Sequence, residues 1–170
     1  MIRSLHLAVL CAIALVLIPV QSFAGLPPND ECVNAVTLYP NNPCIYIPGT
    51  TEHGTQSLPP YQCAFGTNPL LAIDVWYKFT ATDALHWVNI NAGMNFEAAA
   101  TLYTGGCGSL TYFGCVGDTV PGGGNVGSPF FTTPGTVYYI RVYNEVALPW
   151  DYDFSICVSG SAQAPVNDDC

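Results

Sequence analysis

The sequence predicts an all-β chain folded as a two-sheet antiparallel β-sandwich. Two observations carry the expectation. Segments rich in Val, Ile, Thr, Tyr and Phe alternate with Gly, Pro and Asn punctuation, and no window sustains a 3.6-residue apolar period. The 170 residues also hold 8 cysteines, all but Cys11 behind an export-like N-terminal segment, the mark of a disulfide-stapled secreted domain.

The first element is that signal. Arg3 supplies positive charge, Leu7 to Val20 is almost wholly apolar, and Ser22-Phe23-Ala24 offers small residues for cleavage after Ala24. The apolar run is shorter than the ~20 residues a membrane span needs, and Pro19 interrupts its end. Cys11 lies too early in that run, behind the large Leu10, to be a lipid-attachment site. The expectation is a signal peptide over 1–24 and an exported chain without membrane insertion once it is removed.

Five clear strands follow: Asp74 to Thr80, Trp87 to Asn91, Ala98 to Tyr103, Thr136 to Tyr143 and Tyr152 to Val158. Weaker ones lie near Ala35 to Leu38, Cys44 to Ile47 and Leu110 to Cys115, giving eight, a number suited to a sandwich. Successive side chains on a strand point oppositely, so charges assign faces. Lys78 marks the solvent side, placing Val75, Tyr77 and Phe79 inside and Trp76 outside or against a loop. By the same logic Arg141 faces solvent, Tyr138, Ile140 and Val142 face in, and Tyr139 and Tyr143 join the outer face. In the last strand Asp151, Asp153 and Ser155 face out while Tyr152, Phe154, Ile156 and Val158 line the core.

Two long glycine- and proline-rich loops are expected, Pro48 to Asn68 and Gly117 to Pro129. The run Gly122-Gly123-Gly124 is read as a surface turn, because neither Lys-Ser nor Lys-Thr follows and no helix opens there. Gly160 to Val166 reads as a linker. Beyond it, Ala164-Pro165-Val166-Asn167-Asp168-Asp169-Cys170 nearly repeats Leu26-Pro27-Pro28-Asn29-Asp30-Glu31-Cys32, with the two cysteines 138 residues apart. The expectation is a β-sandwich module over 25–160, followed over 161–170 by a linker and the start of another repeat.

Assigning Cys11 to the signal and Cys170 to the next repeat leaves Cys32, Cys44, Cys63, Cys107, Cys115 and Cys157 for three bridges. Spacing alone does not choose among the connectivities. The favoured set is Cys107 with Cys115 across a hairpin, Cys32 with Cys44, and the remainder, Cys63 with Cys157. Zinc is disfavoured, because no C-x-x-C pair occurs and neither His53 nor His86 sits at ligand spacing from a cysteine.

Without the signal, Lys78 and Arg141 face all 12 acidic residues, a net charge of about −10 with neutral histidines. Two cations do not neutralise a row of phosphates, which excludes nucleic acid as a partner, and the acidity opposes an anionic membrane surface. The bland consequence is solubility.

Catalytic constellations are sparse. His53 and His86 are isolated and read as exposed surface histidines. A triad of His86 with Asp83 and a serine is conceivable, but no Gly-x-Ser-x-Gly elbow accompanies it. Glu145, Asp151 and Asp153 group hard oxygen ligands that suit calcium, as do Asp30 and Glu31, but no EF-hand spacing is present and a solvated strand edge is the favoured reading. No cofactor is expected, calcium being the sole candidate. The strongest binding candidate is a flat platform of outward aromatics, Trp76, Trp87, Tyr139, Tyr143 and Trp150, on which sugar rings would stack.

Five motifs in order resemble a known family: Asn29-Asp30-Glu31-Cys32-x-Asn34-Ala35, Asp74 to Ala81, Thr101-Leu102-Tyr103-Thr104-Gly105-Gly106-Cys107, Gly135 to Val142 and Phe154 to Val158. They are similar to the secreted bacterial β-sandwich repeats related to the pre-peptidase C-terminal domain. The resemblance implies a jelly-roll-like or CUB-like sandwich used as an accessory module in extracellular proteins, sometimes beside secreted peptidases, and it does not imply catalysis. The expected function is therefore a non-catalytic extracellular or cell-surface module for structure, interaction or adhesion. Its expected partners are neighbouring modules, a glycan or a cell-surface protein. A carbohydrate-binding module is the alternative, and a secreted hydrolase the distant one.

Overall fold

A computed structural model describes residues 25–59, 61, 63, 72–93, 95–117, 124–145 and 152–161. The expected signal segment with Cys11, Gly122 and Gly123, Trp150, Asp151 and the second Asn-Asp motif ending at Cys170 lie outside the described residues.

After a 3-10 turn, Cys32–Asn34, come nine described strands: β1 Val36–Thr37, β2 Ile47–Thr50, β3 Asp74–Thr80, β4 Leu85–Ala92, β5 Ala98–Gly106, β6 Ser109–Gly117, β7 Asn125–Phe131, β8 Val137–Asn144 and β9 Asp153–Gly160. They form a five-stranded sheet, β1-β3-β8-β5-β6, and a four-stranded sheet, β2-β9-β4-β7. Every pairing is antiparallel except that of β1 with β3. The fold is the expected all-β, two-sheet sandwich.

The inner faces meet in one apolar core. Val75, Tyr77 and Phe79 of β3 and Tyr138, Ile140 and Val142 of β8 point into it, as alternation predicts. From the other sheet come Val88, Ile90, Phe154, Ile156 and Val158. Each large buried side chain contributes roughly 1.5 to 3 kcal/mol, and this layer is what holds the sheets together.

Departures from the sequence reading fall at edge strands and on one outer face. β7 occupies a stretch expected as loop, and β2 lies just beyond the expected Cys44 to Ile47. Both contain proline and glycine, which normally punctuate, but both are edge strands, where a missing N–H costs no ladder bond. β7 still alternates, with Val126 and Phe130 buried. Gly127 leaves room for Asn89 on β4, whose Oδ1 lies 2.5 Å from where a β-carbon would stand. Tyr152, expected in the core, is half-buried and precedes β9.

Arg141 is the largest correction. It is fully buried rather than a solvent marker, as is Tyr143. Both do point to the outer face of the five-stranded sheet, but that face is covered. Cys32, Ala35, Trp76 and Tyr103 form one buried cluster there, and Ala72, Ala99 and Tyr143 another. This second layer explains why β5 is buried continuously from Ala98 to Tyr103 instead of alternating.

Candidate functional site

A dense gathering of polar side chains lies under that cover. Register aligns Trp76, Arg141, Thr101 and Cys115 in one row across β3, β8, β5 and β6. Asp74 and Tyr143 are paired in the neighbouring row. Arg141 Nε donates to Asp74 Oδ2 at 2.8 Å, and Nη2 lies 2.6 Å from the same oxygen. The rest of the guanidinium binds the overlying loop: Nη1 donates to Pro59 O at 2.9 Å and Nη2 to Leu58 O at 2.6 Å. Ser57 completes the cage, with Oγ donating to Asp74 Oδ1 at 2.6 Å and its N–H to Oδ2 at 3.0 Å. Trp76 Nε1 in turn donates to Ser57 Oγ at 2.9 Å. Burial pushes the Asp74 carboxyl up, against the opposing pull of Arg141 and Ser57. A charge pair this enclosed, with its hydrogen-bonding groups directed at the protein, locks a loop onto a sheet and presents nothing to a substrate.

Beside it, Cys63 Sγ lies 3.2 Å from Tyr143 Oη and 3.7 Å from Thr101 Oγ1. The Cys63 N–H donates to Glu145 Oε1 at 2.9 Å, and Tyr143 Oη donates to Tyr61 O. The Arg141 guanidinium carbon stands 5.0 Å over the Tyr143 ring, within cation–π range.

His86 forms a separate polar centre at the start of β4. It is fully buried, not exposed as expected. Nδ1 lies 2.7 Å from Thr132 Oγ1, and that hydroxyl donates onward to Asp83 O at 2.8 Å. The Thr132 oxygen must therefore accept from an Nδ1–H, leaving Nε2 as acceptor for the Thr82 N–H at 3.3 Å. Burial lowers the His86 pKa, against the charge of Asp83. Both ring nitrogens are engaged by the backbone and threonines, so His86 is not poised as the base of a triad with Asp83 and a serine.

The aromatic platform does not assemble. Trp76 and Tyr143 are buried and Tyr139 is half-buried on the outer face of the five-stranded sheet, whereas Trp87, 43% exposed, lies on β4 in the other sheet. Trp150 lies outside the described residues. The calcium set also separates: Glu145 is buried against Cys63, Asp153 is exposed at the start of β9, and Asp151 lies outside the described residues. Asp30 is buried, its two carboxylate oxygens accepting from the N–H and hydroxyl of Thr55 at 2.6 and 2.8 Å. Among the described residues no group of three or more His, Cys, Asp or Glu side chains converges as a metal site would.

The disulfides differ from the favoured set. Cys32 is bonded to Cys107 and Cys44 to Cys157, while Cys63 and Cys115 are thiols. Short sequence separation misled the pairing of Cys107 with Cys115: both flank one hairpin, but Cys107 sits at its turn and Cys115 stands opposite Thr101, well down the ladder. The two bonds instead link segments 75 and 113 residues apart.

A groove of ≈ 470 Å³ opens where the edge strands β1 and β2 diverge, lined mostly by apolar residues including Pro27, Val36, Ile47, Tyr77 and Phe154. Burial pushes the Tyr77 hydroxyl up to about 12.

Sequence reasoning missed Asp74 as the partner of Arg141. A signal was present: apart from Arg3 only Lys78 and Arg141 are basic, and an arginine amid the apolar Tyr138 to Tyr143 run calls for a carboxylate if the strand is covered on both faces.

No protein-family model matches the chain, and no curated protein matches it in sequence. Among solved structures it is similar to the pre-peptidase C-terminal domain of a collagenase from Bacillus anthracis, at 15% identity and a TM-score of 0.48, over 74% of this chain and 94% of that one.

Proposed function

We propose that this chain is a non-catalytic extracellular module of a secreted bacterial protein, of the kind related to the pre-peptidase C-terminal repeats, serving structure or interaction. The observation that carries the reading is the use of its chemistry-bearing side chains. Arg141, Asp74 and Ser57 fasten a loop to the five-stranded sheet, and His86 joins β4 to Thr82 and Thr132. An enzyme keeps such groups facing a cleft; here they face the protein. Two long-range disulfides favour an oxidising compartment, and the signal-like segment over 1–24 supplies the route. On this reading the partners are neighbouring modules of the same protein or a cell-surface protein or glycan.

The test is export and inertness in one preparation. The full chain is fused to a reporter enzyme that is active only after export, and the released protein is assayed on peptide and ester panels. Reporter activity without turnover supports the reading. Absence of reporter activity with 1–24 intact, reporter activity that survives deletion of 1–24, or turnover abolished by His86→Ala, overturns it.

A further inference from the structure

We propose that Cys63 and Cys115 form a third disulfide, tying the loop that covers the Asp74–Arg141 pair covalently to strand β6. The placement is built by two independent parts of the fold. Cys115 stands directly opposite Thr101 in the β5–β6 ladder, so its side chain rises beside that of Thr101 on the same outer face. Cys63 reaches the same spot from above, its Sγ 3.7 Å from Thr101 Oγ1 and 3.9 Å from Ala100 O. The thiols thus meet over one threonine, close enough for each to shift the other's ionisation.

Three further contacts hold Cys63 in place. Its N–H is fixed by Glu145, its sulfur by Tyr143, and Tyr143 in turn bonds the carbonyl of Tyr61. On the β6 side, Tyr112 stacks on Tyr61 with ring centroids 4.5 Å apart, bringing loop and strand together two residues from Cys63 and three from Cys115. The other four described cysteines are already joined, leaving these two as each other's partners.

Reactivity is divided between them. The neighbouring Cys63 thiol lowers the Cys115 thiol to about 7, with Tyr112 assisting against burial and the Glu145 charge, whereas the Cys63 thiol is pushed up. Cys115 is therefore the attacking thiolate. The oxidant is a disulfide, that of a thiol–disulfide oxidoreductase or of oxidised glutathione. Cys115 loses its proton and attacks one donor sulfur, forming a mixed disulfide and releasing the other donor sulfur as a thiolate. Cys63 then loses its proton, attacks Cys115 Sγ and expels the second donor sulfur. The two protons end on the two departing sulfurs: the donor disulfide is reduced to two thiols, and one cystine forms here.

The experiment is peptide mapping of the exported protein under non-reducing conditions, with free thiols alkylated before digestion. A linked Cys63–Cys115 peptide is expected beside the linked Cys32–Cys107 and Cys44–Cys157 peptides. Alkylated Cys63 and Cys115 beside those two intact bridges would overturn the proposal, as would a link from either to Cys170. Should all of these cysteines be alkylated, the reading of an oxidising destination is what fails. The same chain is then folded in a glutathione redox buffer, where closure of Cys63–Cys115 supports the inference and closure of the other two pairs without it overturns it. The Cys63→Ser variant gives a second readout on folded protein: Cys115 becomes newly alkylatable if a bridge was lost, and its labelling stays unchanged from wild type if none existed.

Discussion

Asp74 and Arg141 form a fully buried ion pair on the covered face of the five-stranded sheet, with 2.6 Å between Oδ2 and Nη2. The pair joins two strands, and through Ser57, Leu58 and Pro59 it joins both to the loop above them. Removing one partner from such a site leaves the other charge buried without compensation, at a cost of about 3 to 5 kcal/mol. Arg141→Met should therefore lower the stability of the domain by that amount in urea unfolding, and Arg141→Lys should recover only part of it, because an ammonium cannot reproduce the planar fork. A loss below about 1 kcal/mol in Arg141→Met would mean that the loop does not depend on the pair.

The link between Cys44 and Cys157 is a second long-range restraint. Cys157 lies on β9, and Cys44 shortly precedes β2, an edge strand paired through only four residues. Closing a loop over 113 residues stabilises by about 4 to 5 kcal/mol in the chain-entropy account. The Cys44→Ser/Cys157→Ser variant should lose about 2 to 5 kcal/mol in denaturant, and amide exchange should quicken at Ile47–Thr50 before it does in β4. Equal exchange in the two strands would show that the bridge acts on the unfolded chain alone.

The tryptophans separate core from surface. Trp76 is 1% exposed and packs near Tyr103, ring centroids 5.7 Å apart, beneath the 3-10 turn and its Cys32–Cys107 bond. Trp76→Ala should cost about 3 to 5 kcal/mol by transfer and cavity formation. Trp87→Ala should cost less, about 1 kcal/mol, because that side chain is 43% exposed and leaves no closed cavity. Iodide quenching checks the same distinction: Trp87→Phe should remove a quenchable emission component and Trp76→Phe should not. The opposite pattern would place an aromatic platform on the five-stranded sheet after all.

What the sequence disclosed and what it withheld follow one physical line. Alternation in Asp74 to Thr80 and in Val137 to Asn144 fixed which side chains point in, because period 2 is a property of the strand itself. It did not reveal that the opposite face is also covered, since that depends on where the 51–63 loop returns, a matter of tertiary packing. Hence Trp76 was foreseen against a loop or in solvent, while Arg141 and Tyr143 were assigned to the surface. Cysteine pairing failed for a related reason: Cys32 and Cys107 meet because β1, β3, β8 and β5 are neighbours, and that order is not written in local spacing.

His86 makes stability depend on pH through a single tautomer. Nδ1–H donates to Thr132 and Nε2 accepts from the Thr82 N–H, so a proton added at Nε2 would set two donors against each other inside a buried site. Burial accordingly holds the folded-state pKa below the ordinary value of 6.5. The unfolded chain then binds more protons than the folded one at pH values between those two pKa values, and stability rises with pH across that window. The contribution is present above about pH 6.5 and is lost as pH falls toward the folded pKa. Thermal melting at pH 7.5 and 5.5 should show a lower Tm at the acidic value. In His86→Gln, which has no titrating ring, the Tm difference between the two pH values should shrink. An undiminished difference in that variant would assign the pH dependence to other groups and leave His86 as packing alone.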